Sequence, residues 1–204
     1  KLVLLTFSET NTSDELIVNK SKFIGFTLIG DSREIFIKKV SKIAQQHGGA
    51  NHLAFAYQIK SKNSLDAYFF DAGEPSGTAG KPLLTILESK KMVNAGIAVV
   101  RYYGGVNLGT GGLARAYSKA GMMAFSATKT EEFIQLNLYI LTIKYNMLGI
   151  ISNLISENRG VIVDKKFDVD IHLLTKLTEE LALKIENDFS SVKINRTNEK
   201  KGPI

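Results

Sequence analysis

Val161-Ile162-Val163-Asp164-Lys165-Lys166-Phe167-Asp168-Val169-Asp170-Ile171-His172-Leu173 holds two strand patterns in succession. After the short run Val161 to Val163, Phe167, Val169, Ile171 and Leu173 alternate with Asp168, Asp170 and His172, as a sheet with one solvated face demands. Helical stripes flank the pair: Leu148, Ile151 and Ile155 within Leu148 to Asn158, and Leu181, Ile185 and Phe189 within Thr178 to Phe189. A strand from Gln135 to Tyr145 opens the series and another from Val192 to Ile194 closes it. The resulting order, βαββαβ, is the ferredoxin-like plan. The tail from Asn195 to Ile204 reads as loose.

Upstream of this series the texture changes between Lys129 and Glu132, so two domains are expected, residues 1–130 and 131–204. The length of 204 residues agrees, since one compact domain usually takes about 100 to 150. An apolar content of 44% with 11 Phe and 7 Tyr is ordinary for a chain that buries real cores, so disorder is not the default. The absence of cysteine rules out disulfides, thiolate catalysis and cysteine zinc sites. Val93 to Val100 is too short to cross a bilayer and stops at Arg101. The apolar start before Ser8 is too short for a signal-peptide core. No membrane partner and a cytoplasmic location are therefore expected.

The net charge of +6 is unevenly placed. Residues 1–128 hold 15 Lys and Arg against 9 Asp and Glu, whereas the remainder holds 11 of each. A basic N-terminal half attracts phosphate-bearing partners through its long-range field, although an ordinary solvated surface also accounts for so modest an excess.

That half begins with a strand from Phe23 to Ile29. Asp31 stands at N-cap position with Glu34 in capping-box spacing, ahead of a helix carrying Phe36, Val40, Ile43 and His47 and stopped by Gly48-Gly49. His52 to Ile59 and Leu65 to Phe70 read as a hairpin across the polar turn Lys60 to Ser64. Ten of the 17 glycines then fall between Gly73 and Gly121, interleaved with a helix from Pro82 to Lys91, a strand from Ile97 to Tyr103 and a helix from about Gly111 bearing Leu113, Tyr117, Ala120 and Ala124. Rigid elements between glycine clusters distinguish this region from a linker.

The first glycine loop runs from Asp71 to Pro82. Its Gly80-Lys81 pair is not a nucleotide P-loop, because Pro82 stands where that motif needs a magnesium-binding hydroxyl. Gly77 and Gly80 still allow backbone N–H groups to converge on an anion beside Lys81, and a tight structural turn explains them equally well. The second loop, Arg101 to Arg115, contains Gly109-x-Gly111-x-x-Ala114 but lacks the strand context and acid of a dinucleotide fold. In it Arg101 and Arg115 can hold phosphates while Tyr102 stacks on bases, with at least one of Tyr102 and Tyr103 packed in the core. His52, Asp71 and Glu74 are candidate acid, base or metal-ligand residues, but structural roles are commoner for such positions. No metal or cofactor site is expected.

His52-Leu53-Ala54-Phe55-Ala56-Tyr57, Asp71 to Pro82 and Arg101 to Ser118, with Tyr145-Asn146-Met147-Leu148-Gly149 in the second half, resemble the signature blocks of the IMPACT (YigZ-like) family in its two-domain prokaryotic form. The resemblance covers essentially the whole chain. It implies an α+β protein whose N-terminal domain is like the second domain of ribosomal protein S-five and whose ferredoxin-like C-terminal domain is similar to a late domain of elongation factor G. His52, Asp71, Glu74, Lys81, Arg101 and Arg115 match family positions. Ala72 replaces the second of two consecutive acids common in the family, which argues against a metal site built on that pair. The family's eukaryotic members regulate translation through an added module, so their partner is not carried over, and no reaction is implied.

Translation-associated binding of RNA or the ribosome is therefore expected, with Lys81, Arg101, Tyr102 and Arg115 beside Gly77, Gly80, Gly109 and Gly111. A small-molecule or nucleotide enzyme using His52, Asp71 and Glu74 is the first alternative, and a protein-interaction module the second.

Overall fold

The computed structural model describes residues 3–61 and 64–197. The chain divides into two compact units, Lys1–Phe133 and Ile134–Ile204. The first unit contains, in chain order, β1 (Leu5–Phe7), β2 (Leu16–Val18), β3 (Ser21–Ile29), α1 (Arg33–Gln46), β4 (His52–Lys60), β5 (Leu65–Phe70), α2 (Gly80–Ser89), β6 (Ala95–Tyr102), α3 (Gly109–Ser126) and β7 (Thr130–Glu132).

Five of these strands form an antiparallel sheet in the order β2-β3-β6-β4-β5. Strand alternation sends Phe23, Ala54, Ala56, Ala95, Ile97 and Val99 to one face, where they pack with Leu83 and Leu87 of α2 and Leu113, Tyr117 and Ala120 of α3. The other face presents Ile24, Phe26, Phe55, Tyr57, Ala98 and Val100 to Phe36, Val40 and Ile43 of α1. Burial of both faces explains why β6 is an almost continuous apolar run. The N-cap of α1 is Ser32, not Asp31: the Ser32 hydroxyl accepts from the Ile35 N–H at 3.4 Å. His47 is the C-cap of α1, and its Nδ1 lies 2.7 Å from the Tyr102 hydroxyl. Both α2 and α3 begin two residues earlier than expected.

β4 runs antiparallel to both β5 and β6, so β5 and β6 are parallel and end on the same side of the sheet. The helices that follow them, α2 and α3, start from that side and pack against one another. β1 and β7 form a separate antiparallel ribbon, and β7 occupies the stretch where the sequence places the domain boundary. Part of the turn expected from Lys60 to Ser64, residues 62 and 63, lies outside the described residues.

The second unit contains β8 (Asn137–Ile143), a short 3-10 turn (Tyr145–Met147), α4 (Leu148–Glu157), β9 (Val161–Phe167), β10 (Ile171–Leu177), α5 (Glu179–Asp188) and β11 (Lys193–Arg196). The sheet order β11-β8-β10-β9 completes the ferredoxin-like arrangement. Ile151, Ile155, Leu181 and Ile185 of the helices pack on Leu141, Ile143, Ile171 and Leu173. One expectation is corrected here. Phe167 ends β9 and pairs with Ile171 across a turn, so the alternation from Phe167 to Leu173 spans two strands, and Val169 at the tip is 86% exposed. The tail beyond residue 197 lies outside the described residues.

Candidate functional site

The site assembles where β5 and β6 end, because the two glycine loops leave the sheet there on either side of the start of β4. Asp71 follows β5 directly. Its Oδ2 accepts from the Gly77 N–H at 2.8 Å, and its Oδ1 accepts from the N–H groups of Ala79 at 3.1 Å and Gly80 at 2.8 Å. These donors include the first amide of α2 and that of its N-cap residue, Ala79, which offers no side chain for the purpose. Asp71 is therefore a remote cap that draws the first loop closed and sets a negative charge at a positive helix end.

Glu74, within that closed loop, points inward. Its Oε1 accepts from Arg101 Nη1 at 2.7 Å and from the Tyr117 hydroxyl at 2.8 Å, and lies 3.9 Å from His52 Nε2. The Glu74 and Arg101 side chains are only 4% and 5% exposed. A charge pair so deeply buried relies on further hydrogen bonds to offset its desolvation. Arg101 Nη2 donates to the Ser21 hydroxyl at 3.3 Å, and the guanidinium lies against the Phe23 and Tyr103 rings. Its Nε is buried with no hydrogen-bond partner among the described residues. The Tyr117 phenol is held above its ordinary value by burial first and then by the neighbouring Glu74 carboxylate, so it stays a hydrogen donor.

His52 begins β4 beside this pair. Its Nδ1 lies 2.9 Å from the Ala72 carbonyl, which can only accept, so Nδ1 carries a proton and Nε2 is turned toward Glu74. The structure thus brings His52, Asp71 and Glu74 together, but with both carboxylates engaged: Asp71 by backbone amides and Glu74 by Arg101 and Tyr117. No group of three or more His, Asp and Glu side chains among the described residues could hold a metal ion.

The expected anion-binding residues separate into two sets. Arg101 is turned into the core by the same alternation that buries Ile97 and Val99, and its guanidinium is committed to Glu74. Tyr102 faces the α1 side, half-buried, with its ring 4.7 Å from Lys22 Nζ. Lys81 and Arg115 are exposed on α2 and α3. Between these helices lies a groove of ≈ 580 Å³, lined by Pro82, Thr85 and Ser89 on one side and by Arg115, Ser118 and Lys119 on the other. The first turn of α3 has no side-chain cap, and Gly109, whose φ is +70°, Thr110 and Gly111 are exposed there. Gly77 and Gly80, by contrast, give their N–H groups to Asp71.

Ser21, Asn51 and Lys119 escaped sequence reasoning, and Tyr117 was legible only as part of the buried stripe of α3. Ser21 Oγ accepts from the Gly104 N–H at 3.2 Å, and Asn51 Oδ1 accepts from the Tyr103 N–H at 2.7 Å, which fixes the start of the second loop. Lys119, four residues after Arg115 in a helix, was legible as its neighbour on one face.

A buried Glu–Arg–Tyr junction locks two glycine loops on a sheet layered with helices, and a ferredoxin-like unit follows, so the chain is a two-domain α+β protein. The chain belongs to the IMPACT family: residues 19–125 match the model of the Impact N-terminal domain. An IMPACT family member of Haemophilus influenzae is 35% identical over 164 residues, 80% of each chain. IMPACT family member YvyE of Bacillus subtilis is 30% identical over 186 residues, 91% of this chain and 83% of that protein. The crystal structure of a hypothetical protein, 28% identical, superposes with a TM-score of 0.68 over 98% of both chains.

Proposed function

We propose that this protein binds RNA of the translation machinery along the α2–α3 groove. One observation carries the reading: Arg115 and Lys119 line an open groove opposite the hydroxyl-bearing Thr85 and Ser89. Guanidinium and ammonium groups in this arrangement suit a phosphate backbone, while the Thr85 and Ser89 hydroxyls donate to carbonyls of their own helix and only line the opposite wall. The exposed amides of the first turn of α3 extend the same surface, since a helix N-terminus favours negative charge. Lys81, exposed next to Pro82, adds a further cation at its rim. The Glu74–Arg101–Tyr117 junction acts behind this surface by fixing the loops that launch both helices. The expected likeness of the N-terminal domain to a ribosomal protein supplies the class of RNA. Among the described residues no helix is long and apolar enough to cross a membrane.

Electrophoretic mobility shift of the full chain with structured ribosomal RNA, repeated over a salt series, tests the proposal. Arg115→Ala with Lys119→Ala is expected to weaken binding by roughly 10- to 100-fold and to flatten the log–log salt slope by about 1.5, as two lost phosphate contacts require. Absence of binding at low salt, or a double variant that binds as the parent does, refutes it.

A further inference from the structure

Strand β5 forms one edge of the five-stranded sheet. β4 pairs with one of its sides, and among the described residues no strand pairs with the other. All six residues, Leu-Asp-Ala-Tyr-Phe-Phe, are exposed, with Leu65 at 50%, Tyr68 at 39%, Phe69 at 38% and Phe70 at 45%. Edge strands of soluble proteins are normally guarded by lysine, proline or a bulge, because unpaired backbone groups template association. β5 has neither residue type, and its register with β4 runs without a shift. A regular edge, apolar but for Asp66 and without lysine, proline or a bulge, is the form an interface takes.

We propose that β5 is a self-association edge, at which two copies of this chain pair their β5 strands antiparallel about a two-fold axis and join their sheets. An axis perpendicular to the sheet keeps the α1 side of one copy level with the α1 side of the other. Directly opposed residues must then lie on the same face. Phe55, Tyr57 and Ile59 oppose Phe70, Tyr68 and Asp66, which puts these last three on the α1 face and Leu65, Ala67 and Phe69 on the α2 face. Two central registers satisfy this, one with the axis at Ala67 and one with it at Tyr68.

Charge selects between them. The Arg33 guanidinium carbon lies 5.8 Å from the centre of its own Tyr68 ring. With the axis at Ala67, Asp66 of each copy opposes Tyr68 of the other and comes beside that copy's Arg33. Neither Arg33 nor Asp66 forms an ion pair among the described residues. The same register opposes Leu65 to Phe69 and meets at the small Ala67, so apolar groups face apolar groups and symmetry forms two Asp66–Arg33 pairs. With the axis at Tyr68, Asp66 would instead oppose Phe70. The occupant of this edge is therefore a second copy, with the axis at Ala67.

Sedimentation velocity of the full chain over a concentration series tests the proposal, with far-UV circular dichroism as the folding control. The parent is expected to pass from monomer to dimer as concentration rises. Ala67→Lys, at an exposed position, sets two ammonium groups face to face and is expected to raise the dimer dissociation constant at least about tenfold with an unchanged spectrum. Asp66→Arg weakens the dimer, and adding Arg33→Asp restores it. A parent that stays monomeric up to its solubility limit overturns the proposal, as does a dimer indifferent to Ala67→Lys.

Discussion

Replacing Glu74 by Ala removes the acceptor shared by Arg101 and Tyr117. The guanidinium is then left in the core with a single long bond to Ser21, on top of an Nε that already lacks a partner. Stranding one member of a buried ion pair costs about 3–5 kcal/mol, and orphaning the Tyr117 hydroxyl costs about 1–3 kcal/mol. Both losses arise at the one Oε1 atom, so they do not add in full. A net loss of about 4 kcal/mol is a large share of the roughly 5–15 kcal/mol that holds a domain together. Urea unfolding followed by circular dichroism is expected to show the first unit melting well before the second. The pair is better separated from its setting by a cycle: Glu74→Met and Arg101→Met together should cost less than the two single changes summed, because no buried charge is left alone. A loss below about 1 kcal/mol in Glu74→Ala would show that solvent reaches the pair and refute the reasoning.

Asp71→Ala removes the acceptor for three backbone N–H groups and is expected to cost about 2–3 kcal/mol in the same assay, with Asp71→Asn intermediate. Gly104→Ala would place a Cβ 2.1 Å from the Lys20 carbonyl carbon and 2.2 Å from its oxygen, which are backbone atoms that cannot yield. It should cost about 3 kcal/mol or more. Gly105→Ala meets nothing within 4 Å and carries only the penalty of its φ of +79°, about 1 kcal/mol. The raised phenol of Tyr117 gives a pH test. Its contribution is complete below pH 10.0, the ordinary tyrosine value, and falls above it, because the unfolded chain releases the proton while the native one keeps it. Alkaline titration by tyrosinate absorbance should show the exposed tyrosines ionising first and Tyr117 only on unfolding, and a single smooth phase for all would contradict its burial.

Long elements were legible wherever a period could repeat. α3 shows its buried stripe of Leu113, Tyr117, Ala120 and Ala124 in the sequence, and the second unit shows its βαββαβ order. β1 and β7, of three residues each, are too short to display any alternation, and only their pairing defines them. The turn between Phe167 and Ile171 was hidden because apolar residues happen to alternate straight through it. At the site, the inward orientation of Arg101 follows from the parity of Ile97 and Val99, but an arginine beside glycines invites a phosphate reading. The capping role of Asp71 was beyond local inspection, since caps are sought next to a helix and this one acts from nine residues before Gly80. The open α2–α3 groove depends on β5 and β6 being parallel, which only the full strand order reveals.

The ribbon of β1 and β7 sets Leu5 opposite Glu132 and Phe7 opposite Thr130. The first and last strands of the first unit are thereby stitched together, so the chain enters and leaves the unit at neighbouring points. A module tied off in this way can be fused to, inserted into or parted from another module without its own layers being cut. The knot that permits such shuffling costs the fold only three residues from each end.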